Sequence, residues 1–221
     1  AFDAEIAPID LSAFGDGATG GSSGGGSEAN RGVVSADESP RKTSLEALAK
    51  LPTVYGSESV TAGNAPGLST GASALLLATR SEAKRRGLAP LATIEAHARV
   101  SDHPDKIASV PARAAALALE RAGLGLDAID RIEINEAFAA MPLVSTHVLA
   151  DGDPARLERL RAKTNVDGGA IAIGHPIGAT GGRLLLTLVH ALRRRGGGRG
   201  LVTMCGGIAE GEAFVVRVDA D

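Results

Sequence analysis

From Leu91 onward the sequence alternates short β-patterned apolar runs with alanine- and leucine-rich helical ones. That alternation restricts the chain to a layered α/β fold. Leu91 to Val100 alternates as a strand, and Pro111 to Gly123 reads as a helix with proline at its start and glycine at its stop. Ile129 to Ile134 is a short strand, followed by an apolar helix from Ala137 to Ala150 and a charged one from Pro154 to Lys163. A glycine-rich stretch, Asp167 to Gly182, then runs into a helix that ends in Arg193-Arg194-Arg195-Gly196. Two strands, Gly200 to Met204 and Ala213 to Val218, complete the pattern. Only 2% of the residues are aromatic while 44% are hydrophobic, so the core is built from Ala, Val, Leu and Ile. Small aliphatic side chains suit close helix–sheet packing.

The first ninety residues are less regular. Residues 1–60 read as irregular, with Gly15 to Gly32 a mobile surface loop. No strand precedes those glycines, so they do not form a phosphate-binding loop. A short helix is expected from Ser44 to Leu51, capped by Thr43 or Ser44 and stopped by Pro52. Gly67 to Gly87 reads as helical, first through Ala72 and Leu75 to Leu77, then from Glu82 to the stop at Gly87. The sequence opens on Ala1-Phe2-Asp3, which reads as the interior of a polypeptide.

A net charge of −3 gives no global basic field for nucleic acid, so any anionic ligand must be met by local Arg, Lys or helix N-termini. No apolar run reaches the roughly 20 residues that a membrane span needs, and a cytoplasmic protein is the expectation. Cys205 is the only cysteine, which excludes an intrachain disulfide. His97, His103, His147 and His190 have no metal-ligand spacing and are assigned structural or surface roles; no metal site is expected. Arg193 to Arg195 are read as solvating a helix C-terminus and complementing its dipole.

Three segments place a polar residue at a strand end or turn amid apolar text: Asn135-Glu136-Ala137-Phe138, Gly174-His175-Pro176-Ile177-Gly178, and Cys205-Gly206-Gly207 after the strand Leu201–Met204. A parallel-type sheet delivers such residues to the edge where α/β active sites form. Taken singly, each has a plainer reading: Asn135 as a helix cap, His175 as a satisfied turn histidine and Cys205 as a buried core thiol. Together they offer a hydrogen-bond donor and two acid/base groups, the set that proton abstraction next to a carbonyl requires.

With Thr61-Ala62-Gly63-Asn64-Ala65 and the run Asn165-Val166-Asp167-Gly168-Gly169-Ala170-Ile171-Ala172-Ile173-Gly174-His175-Pro176-Ile177-Gly178-Ala179, these segments follow the order and spacing of the thiolases. The chain resembles the C-terminal part of that family over almost its whole length. The resemblance implies a five-layered αβαβα fold of two similar halves. Residues 1–66 would be the remainder of a loop domain, 67–90 the last piece of the N-terminal domain and 91–221 the C-terminal domain.

The same resemblance implies the roles of particular residues. His175 would take the proton from an acyl-accepting cysteine and later donate a hydrogen bond to the thioester oxygen. Asn135 would complete that oxyanion hole through a bound water, a contribution of about 3 kcal/mol for such a donor. Cys205 would exchange a proton with the α-carbon of acetyl-CoA or the leaving CoA thiol. Gly207 would offer a backbone N–H to a second oxyanion hole, its missing side chain permitting close approach. The pantetheine arm would lie near Ala62, Ala65 and Pro66, and a CoA phosphate near Arg41. Coenzyme A and acyl-CoA enter as substrates, with no tightly bound cofactor.

The family's acyl-accepting cysteine belongs to its N-terminal half, and Cys205 matches the C-terminal Cys-x-Gly motif instead. An N-terminal partner chain bearing that cysteine is therefore expected, with the assembled unit a dimer or tetramer. Three features depart from the family pattern: Ile208 and Ala209 where glycines are common, Pro66 where a serine is common, and the glycine-rich segment 15–32. A non-catalytic thiolase-fold subunit that binds acyl-CoA or scaffolds a partner enzyme is the alternative. A ketosynthase-type condensing enzyme fits less well, because its pattern places a second histidine.

Overall fold

The computed structural model describes residues 2–14 and 32–220, in two compact units that divide between Glu38 and Ser39. In the smaller unit, strand β1 (Ile9–Asp10) pairs antiparallel with β2 (Val33–Val34), and a single 3₁₀ turn spans Leu11–Phe14. Residues 1–60 are thus not wholly irregular. The expected Gly15–Gly32 loop falls, apart from Gly32, outside the described residues.

The larger unit is an α/β/α sandwich. Its sheet combines β3 (Thr93–Ser101), β4 (Arg131–Ile134), β5 (Gly198–Gly206) and β6 (Glu210–Val218) in the order β3-β6-β5-β4. Only β4 and β5 run parallel, and the pairs β3–β6 and β5–β6 are antiparallel. The expected parallel-type sheet is therefore a mixed one. The cause is local: β5 and β6 are joined by a tight hairpin at Gly207–Ala209, and such a connection reverses the chain.

Helix α3 (Val110–Ala122) covers one face, and α7 (Ile177–Arg194) the other. Strand periodicity divides the two cores. Ala213 and Val215 of β6 face α3, whereas Val216 and Val218 face α7; Leu201 and Val202 of β5 divide in the same way. Ala112, Ala114, Ala115 and Ala118 bring α3 down onto the sheet, as an alanine-rich helix allows. Gly123 stops this helix in a left-handed conformation (φ 66°), with the Leu124 N–H bonded back to the Leu119 carbonyl at 2.9 Å. Helices α4 (Ala140–Ala150) and α5 (Pro154–Ala162) pack at the α3 side, and α6 (Ala170–Ile173) is a single turn. Near the start of the unit, α1 (Leu45–Leu48) is capped by the Ser44 hydroxyl, which accepts from the Ala47 N–H.

The helical reading of Gly67 to Gly87 holds only for α2 (Arg80–Arg85); residues 67–79 form neither helix nor strand. Gly67, Ser69, Thr70, Gly71 and Ser73 are poor helix formers. Two of the serines take other partners: Ser69 Oγ accepts from the His175 N–H at 3.2 Å, and Ser73 Oγ donates to the Ala179 carbonyl at 2.8 Å. The same segment leaves Leu68, Leu76 and Leu77 largely exposed, Leu76 at 85%.

Two of the three clustered arginines do more than solvate a helix end. Arg194 pairs with Asp167, and Arg195 with Asp130 at 2.7 Å. Among the described residues, no helix is long and apolar enough to cross a membrane.

Candidate active site

The parallel pair β4–β5 positions two of the expected residues. Ile134 lies in register with Thr203, and the Asn135 N–H bonds the Thr203 carbonyl at 3.1 Å. Asn135 therefore leaves the end of β4 beside the last residues of β5, where Cys205 stands. Cys205 belongs to the strand itself, opposite Gly211, and does not follow it as expected. Its segment leads into a hairpin and not into a helix. In that hairpin Ala209 is buried at φ 52°, a left-handed backbone that a glycine would adopt without strain.

Asn135 is not a helix cap. The helix expected to start at Ala137 begins at Ala140, with Ala139 as its capping position. Instead the Asn135 side chain is buried, and its Nδ2 lies 3.3 Å from His175 Nε2. Its Oδ1 is buried and has no hydrogen-bond partner among the described residues.

His175 sits in the turn between α6 and α7. Gly174 makes that turn possible: its φ is 104°, and a Cβ there would come within 2.5 Å of Ser69 Oγ. Pro176 then opens α7. The second ring nitrogen of His175, Nδ1, lies 2.7 Å from Thr180 Oγ1 on the first turn of that helix. Burial, assisted by the charge of Arg183, holds the imidazole below its ordinary pKa. Burial pushes the Cys205 thiol up. Around neutral pH the site thus offers a neutral imidazole and a protonated thiol, a base and an acid in readiness.

Two residues without an assigned role hold this geometry. Asn165, at φ 48°, accepts from the Ile134 N–H at 2.8 Å and donates to the Ile134 carbonyl at 2.9 Å. Its side chain thereby acts as one more strand residue at the edge of β4, directly before Asn135. Glu136 reaches across to accept from the Ile171 N–H at 3.0 Å, tying the Asn135 segment to α6. A Cβ at Gly169 would collide with that carboxylate. Nothing in the local text marks Asn165 or Thr180 for these tasks, although Asn165 opens the most distinctive run of the sequence.

The residues expected near coenzyme A lie apart in character. Arg41 is exposed on the segment before α1, and Ala62 is exposed on a turn; Ala65 is buried and Pro66 half-buried. That turn is closed by Asn64, whose Oδ1 accepts from the Thr61 N–H at 2.8 Å. Its carbonyl accepts from the Ala139 N–H at 2.9 Å, which links the turn to the entry of α4. Gly207 is exposed, and a Cβ there would meet no atom of the described residues within 4 Å.

Comparison with known proteins shows the family. Residues 88–218 match the family model of the thiolase C-terminal domain, and residues 1–81 that of the thiolase N-terminal domain. An acetyl-CoA acetyltransferase of Syntrophomonas wolfei is 43% identical over 186 residues, covering 84% of this chain and 46% of that protein. A beta-ketoadipyl-CoA thiolase of Pseudomonas aeruginosa is 44% identical over 84% of this chain and 45% of its own length. The chain therefore spans about half the length of the curated relatives it matches. Among solved structures, the Bacillus anthracis acetyl-CoA acetyltransferase superposes with a TM-score of 0.77 at 39% identity, covering 84% of this chain and 46% of that one. Human mitochondrial 3-ketoacyl-CoA thiolase in complex with CoA gives 0.74 at 36% identity, with coverages of 86% and 46%. By sequence, fold and the order of its site segments, this chain belongs to the thiolase family.

Proposed function

We propose that this chain supplies the base, the oxyanion asparagine and the proton-exchanging thiol of an acyl-CoA acetyltransferase. The observation that carries the reading is the Asn135–His175 contact at 3.3 Å, beside the strand end that bears Cys205. His175 Nε2 accepts the proton of an acyl-accepting cysteine, and the thiolate attacks the keto carbon of a 3-ketoacyl-CoA. The C–C bond breaks, and Cys205 donates its proton to the departing α-carbon, releasing acetyl-CoA. The Cys205 thiolate then takes the proton of an incoming CoA thiol, which attacks the acyl-enzyme and frees the first cysteine. The reverse sequence is the Claisen condensation. Backbone N–H donation at Gly207 stabilises the second oxyanion.

The acyl-accepting cysteine lies outside these 221 residues, since Cys205 is their only cysteine and is used as the acid. It comes from polypeptide of the thiolase N-terminal type, associated with this chain in a dimer or tetramer of the assembled unit. The exposed Leu76 and Leu77, which line one apolar hollow with Leu75, Leu88 and Leu91, support such a covering body, because contiguous apolar surface marks an interaction site. On this reading residues 1–66 belong to a loop domain, 67–90 to the N-terminal domain and 91–221 to the C-terminal domain. Arg41 meets a CoA phosphate, and the turn at Ala62, Ala65 and Pro66 meets the pantetheine arm.

The test is thiolysis of acetoacetyl-CoA by this chain combined with a thiolase N-terminal polypeptide. Turnover is expected, with His175→Ala lowering kcat by about 10³-fold or more. Absence of turnover in the combined protein, or a His175→Ala variant as active as the parent, overturns the proposal.

A further inference from the structure

The basic nitrogen of His175 has to be the one that faces Asn135, and the imidazole can carry its proton on either nitrogen. The structure contains the residue that chooses. Thr180 is fully buried, and its hydroxyl lies 3.0 Å from the Pro176 carbonyl and 2.7 Å from His175 Nδ1. A hydroxyl has one proton to give and two lone pairs to offer. Directed to the carbonyl one helical turn back, a common use of threonine in a helix, that proton leaves the lone pairs to accept from Nδ1–H. Nε2 is then unprotonated and accepts from the Asn135 amide at 3.3 Å.

The opposite arrangement is poorer. If Thr180 donated to Nδ1, Nε2 would carry the proton and the Asn135 amide would have to turn its oxygen to it. The buried Asn135 amino group would then lose its partner, in place of the oxygen that now has none among the described residues. An orphaned buried donor is rarer in proteins than an under-satisfied carbonyl.

We propose that Thr180 is a positioning residue that fixes His175 in the Nδ1-protonated tautomer and so aims the basic Nε2 lone pair toward Asn135. The tautomer assignment stands on the hydrogen-bond geometry alone; its value to catalysis rests on the acyl-transfer reading above.

The experiment is ¹⁵N NMR of the histidine-labelled 221-residue chain at a pH where His175 is neutral, its resonances assigned by their loss in His175→Gln. The parent is expected to show a pyrrole-type Nδ1 and a pyridine-type Nε2. Thr180→Val keeps the volume but removes the acceptor, and it is expected to lower the ratio of Nδ1-H to Nε2-H tautomer about fivefold, the worth of one ordinary hydrogen bond. Thr180→Ser restores the hydroxyl and is expected to restore the parent ratio. A parent protonated on Nε2, or a ratio the same in the parent and Thr180→Val, overturns the proposal. Should Thr180→Val fail to fold, the parent spectrum decides. In the combined enzyme Thr180→Val is expected to lower kcat with KM little changed. An inactive combined enzyme with the Nδ1-protonated tautomer present overturns the acyl-transfer reading but not the role of Thr180.

Discussion

Asn135 and His175 stand forty residues apart in the sequence, yet Nδ2 of the first lies 3.3 Å from Nε2 of the second. One comes from the end of a strand and the other from a glycine-enabled turn before a helix. Their meeting gives the site a hydrogen-bond donor beside a base.

Asn135→Ala removes that donor and leaves the imidazole in place. In the combined enzyme kcat is expected to fall about 10²- to 10³-fold with a nearly unchanged KM, the pattern of a group that acts on the transition state. Steady-state thiolysis kinetics check it.

The depressed pKa of His175 also links stability to pH. Below the ordinary histidine value of 6.5 the unfolded chain protonates this residue while the folded chain keeps it neutral. The unfolded state then binds more protons, so stability is full above about 6.5 and declines as pH falls toward the folded value. Urea denaturation of the parent and His175→Gln between pH 8 and 5 is expected to show a shallower acid decline for the variant.

Cys205 titrates in the opposite direction. Burial raises its pKa above the ordinary 9.0, so the thiol is protonated and poorly nucleophilic at neutral pH. Alkylation by iodoacetamide, followed by intact mass on a chain with one cysteine, is expected to be slower than that of the urea-unfolded chain at the same pH. Its rise in rate with pH is expected to be displaced to higher pH than that of the unfolded chain.

Asn165→Ala tests the support beneath Asn135. It strips the partners from both backbone groups of the buried Ile134 and leaves alanine at φ 48°. A loss of about 2–4 kcal/mol in urea denaturation is expected. Asn165→Asp keeps the acceptor to the Ile134 N–H and is expected to lose less.

The sequence by itself determined most of the elements from Thr93 to Val218, because there periodicity and Pro/Gly punctuation agree with the final packing. It also determined which segments carry chemistry, since Asn135, His175 and Cys205 stand out as polar residues in apolar text. Residues 67–79 misled it: Ala72 and Leu75 to Leu77 have helical spacing, but the hydroxyls of Ser69 and Ser73 are bonded to the His175 turn and to α7. Strand direction was equally hidden, because it depends on whether a connection is a hairpin or a crossover. Only the tertiary structure decided that Asn135 meets His175, that Asn165 completes the β4 edge and that Thr180 faces Nδ1. Those are contacts of 2.7 to 3.3 Å made by side chains brought from different elements, and their separation along the chain carries no record of them.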